Sequence, residues 1–434
     1  MASPSIERPG RGATARPPRG SSRQTLRASW ASHWDSPVTS YYLLVGAASL
    51  LLVLGLVMVL SSSSVDSLAA GDSPYKVFLN QAQFALMGLP LMILATRIRP
   101  AGYRRIAWPA LAAAVFLQLL IFTPLAVGTK GNVNWISLGP GLTIQPSEFS
   151  KIALAVWLGV VLARKQDLLH DWKHVAIPAG PAVALVVGLV MVGKDLGTAL
   201  IFILLVAGAL FVAGVPLRIY SAIGAGTLVL VAIAASTGNR SNRISALLGG
   251  EVADPAGVGY QAKRGLEALG SGGFAGVGLG ASREKWSYLP EAHNDFIFAV
   301  IGEELGLLGT LLVLLLFAIL GIGMVRVIRR HPAPMVKITT AAIGCWIIGQ
   351  GLINIGVVIG LLPVIGVPLP LVSAGGSALI ATMLALGIVI SFARDEPGAR
   401  EALAARPSVV RRSIAVVSGA TWRRGGRPQN SDDG

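Results

Sequence analysis

Ten apolar runs follow one another between residues 41 and 393, each close to the roughly 20 residues that carry an α-helix across a hydrocarbon core about 30 Å thick. They lie at 41–61, 77–96, 106–127, 146–163, 175–192, 197–214, 217–236, 296–325, 338–361 and 369–393. A bilayer core offers backbone N–H and C=O groups no water, so runs of this kind must satisfy those groups internally, as helices do. Composition agrees: 53% of the 434 residues are hydrophobic and 13% charged, about half the charged fraction of a soluble domain. The reading is an all-α polytopic membrane protein with ten transmembrane helices. Val215-Pro216 alone separates the sixth and seventh runs, which therefore meet in a tight turn.

The polar segments organise the rest. Residues 1–40, rich in Pro, Gly, Ser and Arg, read as a disordered basic tail, residues 41–394 as one membrane domain, and residues 395–434 as a second disordered, Arg-rich tail. No cleavable signal peptide is expected ahead of the first run. The net charge of +15 sits in the tails and short loops rather than on one face, which argues against nucleic acid as a partner. Cys345 is the sole cysteine and excludes an intrachain disulfide and a zinc cluster.

One set of short loops holds Arg97, Arg99, Arg104, Arg105, Arg164, Lys165, Lys173, Arg218, Arg326, Arg329, Arg330 and Lys337, whereas the alternate set holds Lys76, Lys130 and Lys194. The richer set belongs on the cytoplasmic side. Both termini are then cytoplasmic, as an even number of spans requires. The segment Gly128–Gln145, the turn at Lys194-Asp195, the large loop 237–294 between the seventh and eighth helices, and Leu362–Pro368 face outside.

Charges at membrane depth are costly and usually serve a substrate, an ion or a proton. Glu148 and Lys151, three residues apart behind Pro146, share one helical face. They form either a self-neutralising structural pair or a site for an anionic lipid headgroup. Asp195, just before the sixth run, is most simply an N-cap. Asp295 opens the eighth run after Pro-Glu-Ala-His-Asn and could cap it too. The loop before it, however, carries Arg240, Arg243, Lys263, Arg264, Arg283 and Lys285, cations suited to a diphosphate. A carboxylate beside them suits proton abstraction from an attacking hydroxyl. On a regular helix Glu304 would lie roughly 13 Å deeper than Asp295 and out of phase with it, so its expected work is holding the bundle together. The glycines of Gly270–Gly280 lack the strand and helix context of a nucleotide fingerprint and read as a flexible or tightly turned surface segment. Ser373–Ser377 suits close helix packing. The histidines do not cluster, and nothing has metal-ligand spacing.

These residues together resemble the SEDS family of polytopic peptidoglycan polymerases, and within it the FtsW-type division branch more than the RodA-type elongation branch. The resemblance spans nearly all of 41–393. It is carried by Asn134-Trp135-Ile136 leading to Gln145–Lys151, by Asp195-Leu-Gly-Thr198, by the region Asp254–Glu304 and by Leu369–Ser377. The third block includes Gly259-Tyr260-Gln261, Gly272-Gly273-Phe-Ala-Gly276 and Leu289-Pro-Glu-Ala-His-Asn-Asp-Phe-Ile-Phe298. The resemblance implies a glycosyltransferase of the cytoplasmic membrane, at the division septum, that polymerises lipid II on the outer face. It implies a class B penicillin-binding protein as crosslinking partner, alongside other divisome membrane proteins.

Asp295 matches the family's catalytic Asp, and Glu148 and Lys151 match its intramembrane pair. Trp135, Asp195, Gln261 and His293 in the matched blocks are further substrate-binding candidates. The family often has a basic residue before the Trp, where this chain has Asn134, so Lys130 or Arg243 is expected to supply the donor to diphosphate. Lys194 stands where relatives often carry Pro, and Ala374 and Ala378 replace residues often Tyr and Ser or Thr. No cofactor is expected, with a divalent cation as a further candidate for the diphosphate. A lipid II flippase and a non-catalytic scaffold are the rival functions.

Overall fold

The computed structural model describes residues 34–129, 132–139, 142–235, 258–283 and 289–405. Each of the ten apolar runs contributes a helix there: α1 Thr39–Ala69, α2 Lys76–Arg97, α3 Pro100–Leu119, α4 Pro146–Arg164, α5 Trp172–Val192, α6 Leu196–Ala213, α7 Leu217–Ala235, α9 Ile297–Arg330, α10 Pro334–Val358 and α11 Gly376–Arg394. Eight are long and apolar enough to cross a membrane; α5 and α7 carry shorter apolar stretches, Ala179–Val192 and Leu217–Val229. Two further helices lie outside the runs, α8 Val258–Ser271 and α12 Ala399–Ala405. Proline occupies the first helical position of α3, α4 and α10, where its missing N–H costs nothing and its fixed φ suits the first turn.

The core gathers around α4, α6, α10 and α11. The most apolar windows of α4 and α11 are 89% and 83% buried, against 22% for α2, so α4 and α11 are central and α2 is peripheral. Main partnerships are α11 with α2, α10 with α6 and α4, α9 with α1, and α3 with α4. Small residues set the crossings: a Cβ on Gly159 of α4 would collide with Thr339 of α10, and one on Gly208 of α6 with Cys345 of α10.

Three features depart from a purely helical reading. Between α3 and α4 stands a small antiparallel sheet, β1 Ala126–Thr129, β2 Asn132–Gly139 and β3 Leu142–Ile144, in sheet order β1-β2-β3. Val127 pairs with Trp135, and Ile136 pairs with Ala126 and Ile144. Ile136 is fully buried, so alternation along β2 turns one face of the ribbon onto the helices. The tenth helix starts seven residues later than its run (376 against 369). Residues 359–375 are irregular, with prolines at 363, 368 and 370 and left-handed backbone at Gly360, Gly366 and Leu371. That irregular backbone is tolerated because it is enclosed by protein: Leu369, Leu371 and Val372 are buried, and a Cβ on Gly55 of α1 would come within 2.5 Å of the Leu371 carbonyl.

The third departure is in α9, which is not a regular helix: at Gly306 the backbone swings to φ 67°, ψ −162°. The glycine segment after α8 fills the gap. Val277 N donates to Glu303 O at 2.9 Å and Gly278 N to Glu304 O at 3.0 Å, while Leu307 N donates to Gly273 O at 3.0 Å. Gly273, Gly276, Gly278 and Gly280 all have positive φ, so the tightly turned alternative for this segment is realised, and its purpose is to satisfy a broken helix. Glu304, 1% exposed, accepts from Ser61 Oγ of α1 at 2.7 and 2.6 Å. Glu303, equally buried, accepts from Ser282 Oγ at 2.5 Å and Arg283 N at 2.8 Å. Both carboxylates therefore fasten the break to neighbouring segments.

Candidate functional site

Asp295 sits in a turn rather than a cap. Glu291 takes a left-handed conformation (φ 59°), and its carbonyl accepts from Asn294 N at 3.0 Å and Phe296 N at 3.3 Å. The Asn294 side chain closes the turn on Glu291 Oε2 at 2.5 Å. The N-cap of α9 is Phe296, whose own side chain makes no capping bond, and Asp295 stands one residue ahead of it. Leu289, Ala292 and Phe296 are buried beneath the turn, while Glu291, His293, Asn294 and Asp295 are half-buried along its rim.

Three successive carbonyls of the turn are pinned by what packs against it. His293 O accepts from Ala374 N at 2.9 Å, Asn294 O from Ser373 Oγ at 2.6 Å, and Asp295 O from Asn354 Nδ2 at 2.7 Å. Asn354 also donates to Val367 O at 2.8 Å. A Cβ on neighbouring Gly366 would stand 3.6 Å from Asp295 Oδ2, so the carboxylate lies beside that glycine. From α2, Gln81 clamps the same irregular segment: its Nε2 donates to Ser373 O and its Oε1 accepts from Gly375 N, each at 3.1 Å.

Glu148 and Lys151 form one ion pair of 2.8 Å, with both side chains at most 5% exposed. Removing such charges from water is expensive unless the remaining polar positions are met. Lys151 Nζ also donates to Gln350 Oε1 at 3.3 Å and lies 4.5 Å from the centre of the Trp346 ring. Trp346 Nε1 donates to the same Gln350 oxygen at 3.0 Å, and Gln350 Nε2 donates to Pro368 O at 2.8 Å. Gln350 and Asn354 are four residues apart, one above the other on a helix. The face of α10 thus connects the buried pair to the Asp295 turn through the 364–374 segment. A small cleft there is lined by Gln350, Leu369, Ser373, Gly375 and Thr382 among others.

The structure gives Asp195 two tasks. It caps α6, accepting from Thr198 N at 3.0 Å and Thr198 Oγ1 at 2.8 Å. It also accepts from Asn134 Nδ2 and Gln145 Nε2, each at 3.0 Å. Asn134, found where a basic residue was expected, therefore anchors the β-ribbon to α6, and Gln145 anchors the start of α4. Trp135 is half-buried on β2, opposite Val127. Gln261 is half-buried on α8. On the same helix Lys263 and Arg264 face Glu267 at 4.0 and 2.8 Å, and Arg264 stacks 5.0 Å from the Tyr260 ring. Lys130, Arg240, Arg243 and Lys285 lie outside the described residues. Among the described residues no group of three or more His, Cys, Asp or Glu is placed to hold a metal ion.

Ser373 was read only for helix packing, and the residues that sequence reasoning passed over are Gln81, Gln350 and Asn354. Their signal was available: amide side chains inside apolar runs need partners, and here their partners are the site's backbone.

Residues 41–397 match the family model for FtsW, RodA and SpoVE cell cycle proteins. The chain is 39% identical over 389 residues to the protein named Probable peptidoglycan glycosyltransferase FtsW from Mycobacterium tuberculosis, covering 89% of this chain and 73% of that one. A chain from a structure entitled "Structural coordination of polymerization and crosslinking by a peptidoglycan synthase complex" superposes with a TM-score of 0.67 at 26% identity, covering 81% of this chain and 97% of its own. The rod shape determining protein RodA of Thermus thermophilus gives 0.62 at 26% identity, covering 82% and 97%.

Proposed function

Since the chain belongs to the FtsW, RodA and SpoVE family, we propose that Asp295 is the general base of its polymerisation reaction. The protein is a peptidoglycan glycosyltransferase acting in cell division. In the reading put forward here the substrate is lipid II and the reaction is a single displacement. Asp295 takes the proton from the 4-hydroxyl of the acceptor sugar as that oxygen attacks the anomeric carbon of the donor. The bond to the polyprenyl diphosphate breaks, the electron pair leaves with the diphosphate, and the centre inverts from α to β. One base is sufficient, with no covalent intermediate.

The observation that carries this reading is the Asp295 turn. The carboxylate is held on a backbone pinned at three consecutive carbonyls, beside a glycine that leaves room next to it. Such fixed placement is what proton abstraction demands. The departing diphosphate is met by cations. Lys151 is the nearest buried one in the connected network, and Lys130 and Arg243 are the candidates from the flanking loops, with Trp135, Gln261 and His293 lining the approach. Glu148 orients Lys151 at depth, and Asp195 holds the ribbon that carries Trp135. All ten helices span the cytoplasmic membrane at the septum, with both tails in the cytoplasm and Asp295 on the outer side. A class B penicillin-binding protein crosslinks the product, among other divisome partners.

Asp295→Asn is nearly isosteric and removes the base. With its transpeptidase partner present, the purified variant should polymerise lipid II about 10²–10⁴-fold more slowly than wild type. Polymerisation at the wild-type rate would end the assignment.

A further inference from the structure

The amide of Asn354 ties the backbone of the Asp295 turn to the segment lying against the Asp295 carboxylate. Its Nδ2 donates to Asp295 O at 2.7 Å and to Val367 O at 2.8 Å. Val367 follows Gly366, whose Cβ position stands 3.6 Å from Asp295 Oδ2. Both N–H donors of one amide are therefore committed to the two strips of backbone that flank the carboxylate. Asn354 is only 2% exposed and sits on α10, a helix packed against the central α4 and α6. Its own oxygen is buried with no hydrogen-bond donor among the described residues. A buried acceptor left unmatched is costly. Leucine, close in size, would remove that cost, so a polar residue at this depth needs a reason in the two bonds it donates.

We infer that Asn354 is a positioning residue for the transfer reaction: it fixes the distance between the Asp295 main chain and the 366–367 segment, and so holds the carboxylate where the acceptor hydroxyl arrives. This rests on Asp295 being the base. The other ties differ in kind. Ala374 N and Ser373 Oγ pin the two preceding residues from the irregular segment itself, whereas Asn354 reaches Asp295 from a regular helix. Gln350, one turn away, braces Pro368 and the Lys151 pair but makes no bond to the Asp295 turn.

The consequence is a defect confined to the chemical step. Asn354→Leu keeps the volume and removes both donors. With lipid II and the transpeptidase partner present, kcat should fall by about 100-fold, the scale of a misplacement near 1 Å, while KM stays within threefold. Lipid II affinity, measured on Asp295→Asn and on Asp295→Asn with Asn354→Leu so that turnover does not intervene, should agree within threefold. The thermal midpoint in detergent should stay within a few degrees of wild type. An unchanged kcat overturns the inference. So does a tenfold loss of affinity with kcat kept, which would make Asn354 a binding residue, and so does a joint fall of kcat, affinity and thermal midpoint, which would make it structural. If Asn354→Leu does not accumulate, the isosteric Asn354→Asp, which cannot donate to both carbonyls, is judged by the same readouts. Asp295→Asn alone at the wild-type rate defeats the base assignment itself, a result separate from any behaviour of residue 354.

Discussion

Where α9 begins, the chain is shaped by backbone: a left-handed turn at Glu291, a break at Gly306, and glycines whose N–H and C=O groups fill that break. Where α9 ends, the same helix is held by charged side chains. Arg326 donates to Trp34 O at 2.7 Å with its guanidinium 4.5 Å from the Trp34 ring centre, and Arg330 reaches Asp35 O at 3.1 Å. Arg330 also faces the buried Glu396 at 3.4 Å, His331 faces Asp395 at 3.5 Å, and Arg400 closes on Asp395. The segments that flank the membrane domain, 34–38 and 395–405, are gathered at that end. The difference follows from what each end has to do. A turn proposed to hold the general base needs one geometry, which hydrogen-bonded backbone and forbidden φ/ψ space enforce. An attachment point for two polar segments needs strength without a single shape, and long charged side chains supply it.

That contrast predicts where a single methyl group matters. Gly306→Ala places a Cβ at φ 67°, against Gly276 N and 2.6 Å from Phe274 O, and no flexible side chain is there to move aside. Backbone at φ 67°, ψ −162° is entered freely only by glycine and costs another residue about 1–3 kcal/mol, and overpacking against fixed backbone adds about 1–3 kcal/mol more. The variant should lose about 2–6 kcal/mol and elute as aggregate in detergent. Gly46 of α1 has nothing within 4 Å of its Cβ position, so Gly46→Ala is the control and should be neutral or stabilising by up to about 1 kcal/mol. Equal thermal midpoints for the two variants would erase the distinction between a backbone-shaped end and an ordinary span.

The same contrast explains what could be read from the chain and what could not. The ten runs, Pro146 at a helix start, Asp195 as a cap and Glu148 beside Lys151 were all legible, because each signal is local: hydropathy over a span, or a residue type at a fixed offset. The break at Gly306 was not. It is created by a segment some 30 residues earlier in the chain, and hydropathy averaged over a run does not register one residue's φ. The β-ribbon escaped for a related reason, since its strands of three to eight residues sit in a segment read only as a loop. Gln81, Gln350 and Asn354 were visible as letters. Their importance depends on which backbone carbonyls they meet, and that is a matter of tertiary structure.

Between the two ends stands a mixed case, Glu304, a charge recruited to serve the broken backbone. Ser61→Ala removes the hydroxyl that reaches both of its oxygens and also accepts from Gly280 N at 3.2 Å. A hydrogen bond to a charged group is worth about 1.5–3 kcal/mol, and the loss should appear in full because Glu304 is buried. The thermal midpoint of Ser61→Ala should fall clearly below wild type yet well above Gly306→Ala. A variant indistinguishable from wild type would mean that the backbone hydrogen bonds hold the break unaided.

The smallest effect belongs to the charged end and is one of pH. Burial pushes the His331 imidazole below its ordinary value, against the opposing pull of Asp395, and burial pushes the Glu396 carboxyl up, against Ser40, Arg330 and Arg326. The two act with opposite sign. A lowered His favours the neutral form in the fold, so its contribution is present above the ordinary value near 6.5 and is lost as pH falls through the lower folded value. A raised carboxyl contributes below its ordinary value and loses that contribution as pH rises through the folded one. As pH falls from 7.5 through the ordinary histidine value, the unfolded chain takes up the proton more readily than the folded ring, so the His331 contribution should be lost, with Glu396 acting in the opposite sense. His331→Gln removes that titration and should flatten the thermal midpoint over the same window, while polymerisation measured at pH 7.5 stays at the wild-type level. A pH slope identical in the two proteins would locate the acid sensitivity elsewhere and leave this end of α9 held by its arginines alone.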